Sequence, residues 1–315
     1  MNEVSAEVVN PGPLALIQDQ GRVGAQHLGI GVSGAADRHA AGWANRLLGN
    51  LGDAPVVEVC LGNFRLRFRE STQFALTGAD MHWTLNGRPL RNWCSHQAPA
   101  GAILACSFTS RGLRAYLALR GGVKAPMVCG SCATSMGDRL GGLYGDGRPL
   151  EAGDCLQVSQ RAFFPFSQRF VPQKFQRAYG EAIELRVVPS NQFSQFSAQS
   201  RRQFFASIFR VAPESDRMGV RMQGRALSVT PENMTSEAVS PGAIQVPPNG
   251  LPIVLMPDCQ TIGGYPKLGH VYRVDLDRLA QARPETHVRF VLGDRAESQQ
   301  ESLLHTQFFS AQECV

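Results

Sequence analysis

The chain has 315 residues, enough for one large domain or two of ordinary size. Hydrophobic residues make up 43% and charged residues 18%, which excludes an intrinsically disordered chain. The net charge is +5, but its 28 Arg and three Lys (Lys124, Lys174 and Lys267) are scattered, with no basic run longer than a pair such as Arg201-Arg202. That pattern argues against a nucleic-acid partner, which calls for charge gathered on one face.

The opening residues, MNEVSAEVVNPGPLAL, lack a basic start and a long apolar stretch. No run approaches the roughly 20 apolar residues of a membrane span. A cytoplasmic chain is expected, with its eight cysteines as reduced thiols. The 32 Gly and 19 Pro punctuate short apolar runs, which predicts many short strands.

In chain order, Gln18-Asp19-Gln20-Gly21-Arg22 reads as a loop. Asp37 then caps a helix with Trp43, Ala44, Leu47 and Leu48 at helical spacing, stopped by Gly49. Val56 to Cys60 is a short β-branched strand. Phe64, Leu66 and Phe68 alternate with Arg65, Arg67 and Arg69, a strand with one wet face. Asn86-Gly87 between two short extended runs signals a hairpin. Leu113 to Leu119 alternates again.

Periodicity weakens over residues 159–180, and a domain boundary is placed there, giving domains 1–178 and 179–315. The second half predicts strands at Ile183 to Val188, Ile253 to Met256, Val271 to Val274 and Val288 to Leu292. It also predicts a helix within Ser194 to Ser207 and a short one capped by Asp275 and running through Leu279. The fold class expected is mainly β: two barrel-like or sandwich-like halves with a few short helices.

Several common motifs are missing from the sequence. There is no G-x-x-x-x-G-K-[ST] phosphate loop, no G-x-G-x-x-G opening a helix, no G-x-S-x-G elbow, no H-E-x-x-H pair and no Lys between two Met of the biotinyl type. Cys129-Gly-Ser-Cys132 is a C-x-x-C without the second pair that a zinc site needs, so it reads as two ordinary thiols near a turn, and no metal is expected.

Three stretches are unlike ordinary structural sequence. Pro257 to Gly269 crowds Asp258, Gln260, Thr261, Tyr265 and the rare Lys267 around Gly263-Gly264. It reads equally as a tight turn with a surface Lys or as a cradle where backbone N–H groups approach a ligand and Lys267 meets an anion. Thr235 to Pro248 sets Glu237 and Gln245 on either side of a turn, which an exposed strand-turn-strand also explains. Asp19 to Arg22 with Ser33 to Asp37 holds Arg22 and the capping Asp37. Asp216-Arg217-Met218-Gly219-Val220-Arg221 is either a structural ion pair or an anion clamp.

Those stretches resemble one family closely. Its Q-D-x-G-R, H-L-G, S-G-A-x-D and A-N-x-L-x-G-N appear here as Gln18 to Arg22, His27 to Gly29, Ser33 to Asp37 and Ala44 to Asn50. Its D-R-M-G-x-R, S-E-x-x-x-x-G-A-I-Q-V-P-P and D-x-Q-T-x-G-G-Y-P-K-x-G appear as Asp216 to Arg221, Ser236 to Pro248 and Asp258 to Gly269. From Val8 to Leu292 the chain resembles the C subunit of 5-oxoprolinase, a family also labelled allophanate hydrolase subunit 2 or biotin-dependent carboxyltransferase.

The resemblance implies two cyclophilin-like β-barrel domains. It also implies an allophanate hydrolase subunit 1-like partner (the 5-oxoprolinase B subunit) and a LamB/YcsF-like partner (the A subunit), in a complex that uses ATP to hydrolyse 5-oxo-L-proline to L-glutamate. The family equally contains the carboxyltransferase part of urea carboxylase, acting on a urea-like amide, and members described as regulatory antagonists without catalysis. On the first reading Lys267, Glu237 and Asp258 are the expected catalytic residues. Arg22, Gln245, Gln260, Thr261, Gly263, Gly264, Tyr265 and Arg217 are expected to bind substrate. The chain departs from the family pattern at Cys259 and Cys132, where many members carry Arg.

Overall fold

A computed structural model describes residues 5–158, 165–180, 182–228 and 235–310. The fold is mainly β. It divides into two compact units, one of Met1–Arg22, Ser33–Tyr179 and Phe308–Val315, the other of Val23–Val32 and Gly180–Gln307. Two segments therefore cross between units, which a single linear cut at residue 178 does not see.

In the first unit a six-stranded sheet runs in the order Cys155–Leu156, Ala6–Asn10, Arg65–Phe68, Ile103–Ala105, Thr84–Leu85, Arg88–Pro89. A five-stranded sheet runs Leu14–Gln18, Val56–Cys60, Arg114–Leu119, Thr72–Gly78, Cys94–Ala98. Their inner faces share one core containing Val8, Phe64, Leu66, Phe68, Phe74, Trp83 and Leu117. The alternation of Phe64, Leu66 and Phe68 with arginines is the reason that strand can face core on one side and water on the other. Asn86 and Gly87 both sit at positive φ, 51° and 79°, as a two-residue hairpin turn of the primed type requires.

The helix Arg38–Leu48 covers the far side of the five-stranded sheet, burying Ala40, Ala44 and Leu47 against Val56, Ala75, Tyr116 and Ala118. Asp37 caps it by accepting from the Ala40 N–H at 3.0 Å, and Gly49 ends it in the left-handed region.

The second unit is a closed seven-stranded barrel: Ile183–Pro189, Lys267–Val271, Ala243–Gln245, Ile253–Leu255, Gly219–Gln223, Ile208–Val211, His287–Leu292, with the first and last strands paired in parallel. The helix Ala198–Ala206, capped by Ser197, drives Phe204 onto Phe290 at 4.5 Å and Phe209 at 6.0 Å between ring centroids. A separate two-stranded ribbon pairs Glu237–Ala238 with Ile262–Gly263.

Two local expectations are corrected here. The strand expected at Val271 to Val274 is instead Lys267–Val271, and a helix already begins at Arg273. Gly269 hid that strand from a pattern of β-branched residues. A Cβ there would lie 2.5 Å from Val187 Cγ1 and 2.7 Å from the Val188 carbonyl, so the close approach of Ile183–Pro189 requires glycine. Asp275 does not cap the helix. Tyr272 holds that position, and the Asp275 carboxylate accepts from Arg186, Nη2 at 2.7 Å and Nε at 3.0 Å. A buried charged partner outcompetes the weaker local cap. No helix of the described residues is long and apolar enough to cross a membrane.

Candidate functional site

Lys267 opens the barrel strand Lys267–Val271 and is only 7% exposed. It is therefore a buried strand residue, and the reading as a surface Lys on a turn is set aside. Buried lysines need partners because desolvating an ammonium is costly. Its Nζ donates to Glu237 Oε2 at 2.7 Å and to the Ala238 carbonyl at 3.2 Å, both on the ribbon. The hydrogen bond and charge of Lys267, helped by the Gln192 amide, hold the Glu237 carboxyl below the usual carboxylate range. Glu237 is thus anionic at neutral pH.

Across the ladder Gln245 lies opposite Lys267, at a register shift between Ile244 and Gln245. Such bulges re-aim a side chain. Gln245 is 2% exposed, yet its Nε2 has no hydrogen-bond partner among the described residues. Gly263 of the ribbon lies against it: a Cβ at that position would sit 2.3 Å from this nitrogen. Glycine is needed there for the amide to fit under the ribbon. Thr261 is buried and its carbonyl accepts from the Val239 N–H at 2.9 Å; Gln260 and Tyr265 are exposed. The Gly264 position lies 3.4 Å from Ser236 Oγ by the same Cβ measure.

The structure thus brings together Lys267, Glu237, Gln245, Gly263 and their neighbours, but not all the expected residues. Asp258 and Arg217 turn to each other. Arg217 Nε donates to Asp258 Oδ2 at 2.7 Å and Nη2 to Oδ1 at 2.9 Å, with the side chains 5% and 8% exposed. The Asp258 N–H also donates to the Arg217 carbonyl at 3.0 Å. Such a bidentate buried pair stitches two turns together, which is the ion-pair arrangement among the two readings of D-R-M-G-x-R.

Arg22 belongs to the first unit and is wholly buried. It donates to the Val128 carbonyl at 3.2 Å and, at shorter range, to that of Ala133. Its guanidinium braces the loop around the C-x-x-C. Asp19 braces the same loop, accepting from Ser131 Oγ and the Cys132 N–H, each at 2.6 Å.

The C-x-x-C itself is a tight turn. Val128 and Ser131 bridge, and Cys129 and Gly130 have positive φ. Burial, then the Asp19 charge, pushes the Cys132 thiol up to about 11; burial pushes Cys259 up to about 12. Both positions where family members often carry Arg are therefore buried, inert thiols. Brief native-state alkylation followed by peptide mapping should label the exposed Cys129 and Cys155 well before Cys132 and Cys259. Equal labelling of Cys129 and Cys132 would overturn this assignment.

Two residues that the sequence did not single out complete the cluster. Gln192, 3% exposed, donates from Nε2 to Glu237 Oε2 at 3.0 Å and accepts the Lys267 N–H on Oε1 at 2.7 Å. Ser190 Oγ donates to the Lys267 carbonyl and accepts the Gln192 N–H at 3.1 Å. Pro189-Ser190-Asn191-Gln192 reads as a commonplace turn after a strand, and no periodicity marks it.

The chain matches the family described as carboxyltransferase domain, subdomain A and B, over residues 28–292. It is 36% identical over 277 residues to the 5-oxoprolinase C subunit of Haemophilus influenzae, covering 88% of this chain and 87% of that protein. It is 35% identical over 288 residues to the 5-oxoprolinase C subunit of Escherichia coli, covering 90% of each. Among solved structures, the urea amidolyase of K. lactis superposes with a TM-score of 0.89 at 26% identity, covering 98% of this chain and 20% of that one. With a family match across most of its length and relatives above a third identical over nearly all of it, the chain belongs to the carboxyltransferase domain family, subdomains A and B.

Proposed function

We propose that the chain is the C subunit of a 5-oxoprolinase complex that opens 5-oxo-L-proline to L-glutamate with ATP, in the company of an allophanate hydrolase subunit 1-like and a LamB/YcsF-like protein. The two bacterial relatives that carry the 5-oxoprolinase name support this reading. The observation that carries it is the Lys267–Glu237 pair, in which a buried ammonium meets a carboxylate that stays 43% exposed, beside a Gln245 Nε2 with no hydrogen-bond partner among the described residues. A lactam offers one N–H and one carbonyl oxygen on the same edge. Glu237 is an anion suited to accept the N–H. Lys267 and Gln245 Nε2 are donors suited to the oxygen, on which negative charge grows when a nucleophile attacks the carbonyl.

The cluster does not fit a triphosphate. Lys267 is already neutralised by Glu237, and no phosphate loop precedes a helix in the sequence. ATP is therefore assigned to the complex, and no step of its chemistry is placed on these residues. Co-expression with both partners, followed by assay of 5-oxoproline-dependent ATP hydrolysis and glutamate release, tests the proposal. The complex is expected to turn over and the isolated chain is not. Robust turnover by the homogeneous isolated chain sinks the obligate partnership.

A second reading is favoured by the superposition on urea amidolyase: a carboxyltransferase that moves a carboxyl group between a biotin carrier and a urea-like amide. The same N–H and carbonyl edge would serve. Purified complex that decarboxylates a carboxybiotin carrier in the presence of urea, and ignores 5-oxoproline, selects it.

A further inference from the structure

Gln192 lies between the two charged members of the site and touches both. Its orientation is fixed by elementary donor and acceptor rules. A backbone N–H can only donate, so the Lys267 N–H must meet the amide oxygen Oε1 at 2.7 Å. Nε2 must then face Glu237, whose Oε2 accepts from it and from Lys267 Nζ together, at 3.0 and 2.7 Å, an arrangement that favours the ionised carboxylate. Ser190 holds the other side, taking the Gln192 N–H and donating to the Lys267 carbonyl. Both peptide groups of Lys267 are thereby bracketed by one loop. Glu237 Oε2 is filled by two donors, while no described residue bonds Oε1, and the side chain stays 43% exposed.

We infer that Gln192 is a positioning residue of this site: it aims Lys267 and Glu237 at each other and leaves the second oxygen of Glu237 presented to a ligand N–H of an amide, lactam or ureide. The ligand half of this inference rests on the reading under Proposed function; the positioning half does not. Lys267 is the charged group bonded to Glu237. The other titratable group on its strand, His270, is held low by burial and by Lys267, so it adds no charge at neutral pH.

Gln192→Glu separates the two bonds. It keeps the length and the acceptor for the Lys267 N–H, but it replaces the donor facing Glu237 with a like charge. The Glu237 carboxyl, followed by carbon-13 carboxyl NMR in the full chain and assigned with Glu237→Gln, should then titrate higher by about one pH unit. In the reconstituted complex, kcat/KM at neutral pH should fall on the order of 100-fold, with its acid limb moved upward by a similar step.

The double exchange Gln192→Glu with Glu237→Gln restores a donor facing a carboxylate, with the partners swapped. It should recover the thermal melt while kcat/KM stays low, because position 237 no longer offers an anion. Gln192→Met, which loses both bonds, reads the same upward titration should Gln192→Glu fail to fold. An unmoved Glu237 titration overturns the positioning role, and so does full recovery of kcat/KM in the double exchange, which would leave Gln192 as fold-holding only. A wild-type complex inert toward 5-oxoproline with the NMR shift intact removes the ligand reading and keeps the positioning.

Discussion

Lys267→Ala is expected to lower kcat/KM of the reconstituted complex by roughly 30- to 1000-fold, about 2–4 kcal/mol of transition-state stabilisation. The ammonium sits 2.7 Å from Glu237 and opposite Gln245, where desolvation strengthens its field. Because Lys267 is a buried strand residue and not an exposed turn residue, the truncation also touches the fold. A loss of about 1–3 kcal/mol of stability is expected from the removed stem.

Two further substitutions separate these effects. Lys267→Met keeps most of the stem and removes the charge, so it should restore most of the melt and none of the activity. Lys267→Arg keeps the charge on a planar, bulkier head in a slot only 7% exposed, and is expected to recover activity only in part. Steady-state kinetics of the complex beside thermal melts of the same variants decides the matter. Wild-type kcat/KM in Lys267→Met would reduce the Lys to a packing element.

Arg217→Ala should be strongly destabilising. It leaves the Asp258 carboxylate at 8% exposure without its bidentate partner, and breaking such a buried pair costs about 3–5 kcal/mol. For a unit of this size that is roughly 6–20 °C in the melting temperature. Asp258→Ala should behave alike, and the two changes combined should cost less than their sum, since the second removes the charge that the first stranded. A melt unchanged in Arg217→Ala together with a large rise in KM would return this pair to the anion-clamp reading.

Elements governed by near neighbours were legible in the sequence. Asp37 and Gly49 bound the helix Arg38–Leu48 because a cap and a left-handed stop act within one turn. Asn86-Gly87 makes its hairpin because the turn geometry depends on those two residues alone. Glu237, Gln245 and Gly263 were grouped with Lys267 through the family resemblance, since residue types alone left each of the two stretches open between a turn and a site. Gln192 was not, because a lone Gln after a strand is what any loop carries.

The sequence by itself determined the mainly β character, the local elements and the stretches in which polar residues crowd around glycines. These follow from alternation, turn chemistry and residue type, all of which act over a few positions. Only the tertiary structure decided which charges meet. Asp258 could have faced a ligand, but barrel closure sets it against Arg217, 41 positions away. Lys267 read equally as a surface residue and as a cradle residue until the strand that it opens placed it under Glu237, 30 positions away, and beside Gln192, 75 positions away. A buried charge takes the partner that folding brings within hydrogen-bond reach, because the cost of leaving it unpaired exceeds any preference encoded by its neighbours in the chain.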